Sequence, residues 1–280
     1  MWRARGLSLD APLVDLLPDL AADWRASRRV SLRHVLSHTS GLRPQLRPAT
    51  LAPYAFTAGG LARAVRDTVH SGQSQRAGSS WRYCNTGFAL AGYALGVVAG
   101  IGLDAALRQY VLEPAGMVDT SFGGAQASGH TGPSPVRGPY PRALRPAGGI
   151  VTTVDDLLSF AQFACDDESL PTTGAPVAAS TIGGRYGLGW ILGHGGRVRW
   201  HIGDWGGFHS CLLVVPERRF AVAVVGNDDA AVALRKDFIW TEAARLARVK
   251  RPGLLGPVYS GWSWARLTAA RAVAPLTRRT

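Results

Sequence analysis

Two side chains capable of acid–base chemistry stand where a fold could present them. Tyr83 follows the polar segment Gly78-Ser79-Ser80 at the N-terminal edge of a predicted helix, and His201 closes a strand-like run. Taken singly, each has an ordinary structural reading: a tyrosine ring buries readily while its hydroxyl finds a backbone partner, and a histidine at a strand end is usually packed. For Tyr83 to act as a base near neutral pH, a phenol of reference pKa about 10 must fall by about three units, at a cost of about 4 kcal/mol. A neighbouring lysine would favour the phenolate. The chain holds only Lys236 and Lys250, and the residues three positions before them are Ala233 and Ala247, so these 280 residues contain no Ser-x-x-Lys pair of nucleophile and amine.

Other candidates for chemistry are weaker. Ser40 is followed three residues later by Arg43, which stays protonated and cannot accept the serine proton. Gly261-Trp262-Ser263-Trp264-Ala265 approximates a nucleophile elbow, but no strand precedes it and alanine replaces the last glycine. His34 and His38 have the i, i+4 spacing of a zinc pair, yet Val35 stands where a metalloprotease carries glutamate, so no metal is expected. Cys84, Cys165 and Cys211 are odd in number and lack metal-type spacing, which predicts buried free thiols. No cofactor motif is present.

The elements that must position these residues fall into two patterns. Period near 3.6 marks helices over Leu13 to Leu17 (stopped by Pro18), Val30 to His38 (capped by Ser31, ended by Gly41), Leu61 to Val69, Thr86 to Val98, Leu103 to Leu112, and Val154 to Ala164 with Thr153 as cap. Residues 43 to 60 and 121 to 148 are rich in Pro, Gly and Ser and read as loops. After Gly183 the runs become strand-like: Tyr186 to Leu192, Arg197 to Ile202, His209 to Val215 and Phe220 to Val225, the last two joined by the compact turn Pro216-Glu217-Arg218-Arg219. A closing helix is predicted over Ala230 to Val249.

Composition, 46% apolar and 18% charged, is that of a globular chain able to bury a substantial core. The net charge of +12 is concentrated: residues 245 to 280 carry eight basic residues and no acid, leaving 23 basic against 19 acidic residues in the body. Such a basic tail reads as a solvated end, and no nucleic-acid partner is expected. The uncharged stretch Tyr83 to Leu103 contains five glycines and reads as a buried helix, not a membrane span. Charges throughout residues 1 to 20 exclude a signal peptide starting at Met1; the chain as written reads as cytoplasmic, or as secreted or periplasmic if a signal lies upstream.

Several segments in one order resemble the β-lactamase-related serine hydrolase family, which includes class C β-lactamases, penicillin-binding D-alanyl-D-alanine carboxypeptidases, D-aminopeptidases and family VIII esterases. They are Gly6-Leu-Ser-Leu-Asp-Ala-Pro12 with Leu17-Pro18, Ser31 through Ser37-His-Thr-Ser-Gly-Leu42, Tyr83-Cys-Asn-Thr-Gly-Phe88, Gly116-Met-Val-Asp-Thr-Ser-Phe122, Ala147-Gly-Gly-Ile-Val-Thr-Thr153 with Asp156, Tyr186-Gly-Leu-Gly-Trp190, and His201-Ile-Gly203 with Gly207-Phe208. The resemblance implies acyl transfer through a covalent serine on a small-molecule or peptide substrate. It puts Tyr83 in the general-base position and Asn85 on a substrate amide or the lysine. His201-Ile-Gly203 takes the third-motif place on the sheet's edge strand, with Gly203 admitting substrate to the backbone and the Asp204 N–H as one oxyanion donor. His201 in place of lysine leans towards ester or peptide substrates.

The implied fold is α/β of the α+β type, β-lactamase/transpeptidase-like: an antiparallel sheet flanked by helices plus a helical lobe, with the first strands and the nucleophile helix missing. It is expected as one unit over 1–250, helical lobe about 21–184 and sheet with closing helix about 185–250, followed by a basic tail over 251–280. By the resemblance, the Ser-x-x-Lys motif would lie roughly fifteen to twenty residues before Met1, and losing the strands before it would expose an edge of the sheet. Loss of a catalytic serine costs on the order of a millionfold in rate, so the chain as written is expected to be nearly inert. The alternative is a non-catalytic binding protein that keeps Tyr83, Asn85 and His201.

Overall fold

The computed structural model describes residues 6–46, 48–124, 127–136, 139–166, 178–180, 184–193, 196–237 and 269–275. The chain divides into two compact units, Met1–Glu113 with Tyr140–Ile150, and Pro114–Pro139 with Val151–Thr280.

The first unit is helical. In chain order it holds α1 (Leu13–Leu16), a 3-10 turn (Pro18–Asp23), α2 (Leu32–Leu36), α3 (Pro48–Leu51), α4 (Gly60–His70), α5 (Asn85–Ala99) and α6 (Leu103–Leu107). A π turn (Arg108–Leu112) leads on to α7 (Glu113–Ala115), and a further 3-10 helix spans Arg142–Ala147. The sequence of α5, apolar almost throughout, suits a helix covered on several sides, and α2, α4, α6 and the 142–147 helix all pack on it. The approach of the last is close: a Cβ at Gly92 would fall 2.3 Å from Pro146 Cγ. Leu13, Leu17, Leu20, Val35, Val65 and Leu90 form the core beneath.

The first helix ends at Leu16 with Leu17 as its C-cap, before Pro18 as expected, and Pro18 opens the separate 3-10 turn, where its missing N–H costs nothing. Two expectations change here. The helix expected to reach His38 ends at Leu36 with Ser37 as its C-cap, because His38 takes a left-handed φ of 57°. The loop over 43–60 contains α3, and the loop over 121–148 contains the 142–147 helix and a hairpin of β1 (Gly129–Thr131) and β2 (Ser134–Val136).

The second unit carries that hairpin, α8 (Val154–Asp166), and a seven-stranded antiparallel sheet in chain order: β3 (Ala178–Ser180), β4 (Gly184–Tyr186), β5 (Ile191–Gly193), β6 (Val198–Trp205), β7 (Phe208–Val215), β8 (Phe220–Gly226) and β9 (Ala269–Pro275). Thr153 Oγ1 accepts the Asp156 N–H at 3.2 Å, the cap expected for α8. The helix packs on β8, with Ala161 against Leu212, Val214, Ala221 and Ala223, and Phe160 stacks on Trp190. A helix α9 (Ala230–Asp237) packs on β7 and β8; the stretch of the predicted closing helix beyond Asp237 lies outside the described residues.

The apolar run Tyr186 to Leu192 is not one strand but two, β4 and β5, reversed through a turn in which Gly189 has φ of 82°. Nor is the edge of β8 open. Seven residues of the C-terminal stretch, read as a solvated tail, form β9 and pair with it from Phe220↔Pro275 to Gly226↔Ala269. Finally, β6 is not an edge strand along its length. The β5 ladder covers Val198 to Trp200 and stops there, so among the described residues the strand pairs with β7 alone from His201 to Trp205.

Candidate active site

Tyr83, Cys84 and Asn85 lie in the first unit, where an extended segment enters α5. Cys84 is the N-cap, its sulfur accepting the Gly87 N–H at 3.3 Å, so Asn85 opens the helix and Tyr83 precedes it. The tyrosine is 38% exposed. Its ring centroid lies 4.3 Å from that of His38, and His38 Nδ1 accepts the Cys84 N–H at 3.0 Å. The His38 carbonyl accepts the Arg82 N–H at 2.8 Å and the Thr39 carbonyl that of Gly78, also at 2.8 Å, so the Ser-His-Thr-Ser-Gly turn frames the segment that carries Tyr83. Burial, then the nearby Tyr83, pushes Tyr140 up to about 12.

His201, Gly203 and Asp204 lie in the second unit on β6. His201 Nδ1 is 2.8 Å from the Ile202 carbonyl, which only accepts, so Nδ1 carries the proton and Nε2 accepts the Tyr186 hydroxyl at 3.0 Å. Burial holds this imidazole below its usual value, which keeps it neutral. Gly203 pairs with Ser210 across β7, and a Cβ there would lie 2.7 Å from Ser210 Oγ. The strand turns into β7 through Gly206 and Gly207, with φ of 53° and 77°, the pair of positive values a two-residue type I′ turn requires. That Gly-Gly signal was legible in the sequence.

The remaining sequence candidates among the described residues sit in local hydrogen bonds or are buried. Ser40 is buried, and its Oγ accepts the Leu42 N–H at 3.3 Å. His34 Nδ1 sits in a capping box with Ser31, and His38 Nδ1 accepts from the Cys84 N–H; among the described residues no group of three His, Cys, Asp or Glu could hold a metal. Burial pushes the Cys84 and Cys165 thiols up and Cys211 to about 12, leaving all three as neutral thiols. Ser263 lies outside the described residues. Among those described, no single helix is long and apolar enough to cross a membrane. Residue spacing did not disclose the charged group beside Gly203, where Asp204, His209, Asp229 and Arg235 meet from three parts of the chain.

Comparison with known proteins agrees with this architecture. The β-lactamase family model matches residues 1–244. Penicillin-binding protein 4 of Amycolatopsis lactamdurans is 29% identical over 229 residues, 70% of this chain and 60% of that protein, so the chain spans about three fifths of its curated relative. The crystal structure of SurE superposes with a TM-score of 0.71 at 24% identity, covering 95% of this chain and 65% of the other. The octameric penicillin-binding protein homologue from Pyrococcus abyssi gives 0.66 at 22%, covering 90% and 63%. At such identities the two structures speak for the fold, and the family model, matched over most of the sequence, for the lineage: the chain belongs to the β-lactamase-related serine hydrolase family.

Proposed function

We propose that residues 1–280 supply the second and third motifs of a β-lactamase-like acyl-transfer mechanism on an amide or ester, and that they carry out no acyl transfer by themselves. Tyr83 is the general base and Asn85 a substrate or lysine hydrogen-bond partner. His201 holds the third-motif position, Gly203 leaves room at the backbone, and the Asp204 N–H donates to the developing oxyanion. The observation that carries the first half is the place of Tyr83: partly exposed, immediately before the α5 cap, its ring steadied by His38. The second half rests on the absence of any Ser-x-x-Lys from the 280 residues. The lysine that would favour the Tyr83 phenolate is missing from the sequence, and without the serine no acyl-enzyme forms.

The test is direct. Purified 1–280 should resist labelling by a fluorophosphonate and leave a chromogenic cephalosporin and a short-chain ester intact. Covalent labelling or turnover would sink the inert reading. The curated relative's name specifies penicillin binding, which makes a β-lactam a suitable probe for the alternative, a binding protein without catalysis. Reversible β-lactam binding, weakened by Asn85→Ala and without acylation, would favour that alternative.

A further inference from the structure

Beside Gly203 the second unit holds four charged groups in mutual contact. Asp204, near the end of β6, faces His209 of β7 directly across the ladder. His209 Nδ1 lies 2.6 Å from Asp204 Oδ1, and its Nε2 lies 3.0 Å from Oδ1 of Asp229, which stands just before α9. Arg235, from α9, reaches Asp204 Oδ1 at 2.7 Å and the carbonyls of Ser210 at 3.2 Å and Gly203 at 3.4 Å. The side chains of His209 and Arg235 are each only 10% exposed.

This geometry fixes a protonation state. An ionised carboxylate accepts hydrogen bonds and donates none, so a ring with a carboxylate oxygen at each nitrogen needs a proton on both. His209 is therefore the imidazolium, and the group balances two positive charges against two negative. No other ionisable side chain enters from β8, whose sequence is Phe-Ala-Val-Ala-Val-Val-Gly. On β7 itself the Cys211 thiol is neutral, and His130 and Asp228 meet at the bridge bordering the turn before α9.

We infer that Asp204, His209, Asp229 and Arg235 form a clasp that fixes the Gly203–Asp204 backbone of β6 against β7 and α9, and that loss of one proton from His209 opens it. The proton goes to solvent, one ring nitrogen then turns a lone pair towards a carboxylate oxygen, and the group is left with one net negative charge. Asp229, at the longer of the two contacts, is the partner released, while Arg235 keeps its hold on Asp204. The pKa directions agree. The hydrogen bond to Asp204, opposed by burial and aided by Asp229, raises His209 above 6.5. Burial alone would raise Asp204, but the bonds from His209 and Arg235 outweigh it and hold the carboxyl below 3.8. A raised histidine stabilises fully below its unfolded value and loses that contribution as pH climbs through its folded value; a depressed aspartate loses its contribution as pH falls through its folded value. The clasp is closed between the two.

Only the functional consequence, a pH-sensitive oxyanion donor at Asp204, rests on the third-motif reading; the clasp itself is tested without activity. In isotope-labelled 1–280, the His209 ring signals should titrate above pH 6.5, and the Gly203 and Asp204 amide signals should move with the same midpoint while that of Gly87 in the first unit stays still. Asp229→Asn keeps an acceptor oxygen but removes a charge, so the midpoint should fall with the fold intact. His209→Gln should make the Gly203 and Asp204 amides indifferent to pH over that range. A His209 midpoint at or below 6.5, amides at 203 and 204 that ignore it, or a midpoint unmoved by Asp229→Asn would each overturn the inference, the last even if His209→Gln fails to fold.

Discussion

Tyr186 is buried and His201 half-buried against it, and their hydrogen bonding favours a neutral imidazole. The ring's N–H is directed at its neighbour's carbonyl and its lone pair takes the tyrosine proton, so protonation would force the Tyr186 hydroxyl to turn from donor to acceptor. Tyr186→Phe removes that donor. It should lower unfolding stability at neutral pH by about 1–3 kcal/mol, the range for taking away one partner of a buried polar pair, as read from urea unfolding with an unchanged m-value. A folded value below 6.5 also means that the unfolded chain takes up a proton at His201 before the native chain does, so this residue's contribution to stability shrinks as pH falls below 6.5. His209, eight residues on, works in the opposite sense.

The element that sets Tyr83 in place is the turn after α2. Gly41 has φ of 70°, and a Cβ there would fall 2.0 Å from the Gln75 carbonyl oxygen. Ser74 N–H bonds to the Gly41 carbonyl at 2.8 Å, and the Gln73 amide donates to the Ser40 carbonyl at 2.6 Å. Gly41→Ala therefore strains the backbone and drives the turn off residues 73–75. A loss of about 2 kcal/mol or more is expected in denaturant unfolding, with weakened contact between His38 and Tyr83 visible in their aromatic NMR signals. Parts of this arrangement were legible in the sequence. The near-continuous apolar run of α5, the Thr153 cap, and the β7 and β8 runs with Pro216-Glu-Arg-Arg219 between them each carry a local signature that their surroundings reinforce. Others had none. A histidine adopting left-handed φ looks like any helical histidine, so α2 was read too long. Tyr186 to Leu192 was read as one strand because its apolar residues never break, and only the glycines within it betray the reversal. The clasp escaped because its members stand up to 31 positions apart, from Asp204 to Arg235, and only the β6–β7 register and α9 bring them together.

At the scale of the whole molecule, the sheet settles what becomes of an apolar strand that needs two neighbours. β8 reads Phe-Ala-Val-Ala-Val-Val and is largely buried, with β7 on one side. On the other side stands β9, drawn from a stretch whose arginines disguised it as tail; its alternation of Ala, Val and Arg suits a strand, and seven residue pairs bind it to β8. An open β8 edge would present unpaired amides beside apolar side chains, the usual template for strand addition between molecules. Proline tests this. Successive residues of a strand send their N–H groups to opposite sides, so replacing two neighbours must remove one donor that faces β8 whichever register holds. The double variant Ala272→Pro/Val273→Pro should therefore loosen β9, cost at least about 1 kcal/mol for the lost ladder bond, and promote self-association. Light scattering on the eluting protein reads the outcome: growth of oligomers with concentration in the variant, beyond whatever the parent shows, is expected. A variant that keeps the parent's mass and unfolding midpoint would mean that β8 does not depend on β9 for its cover.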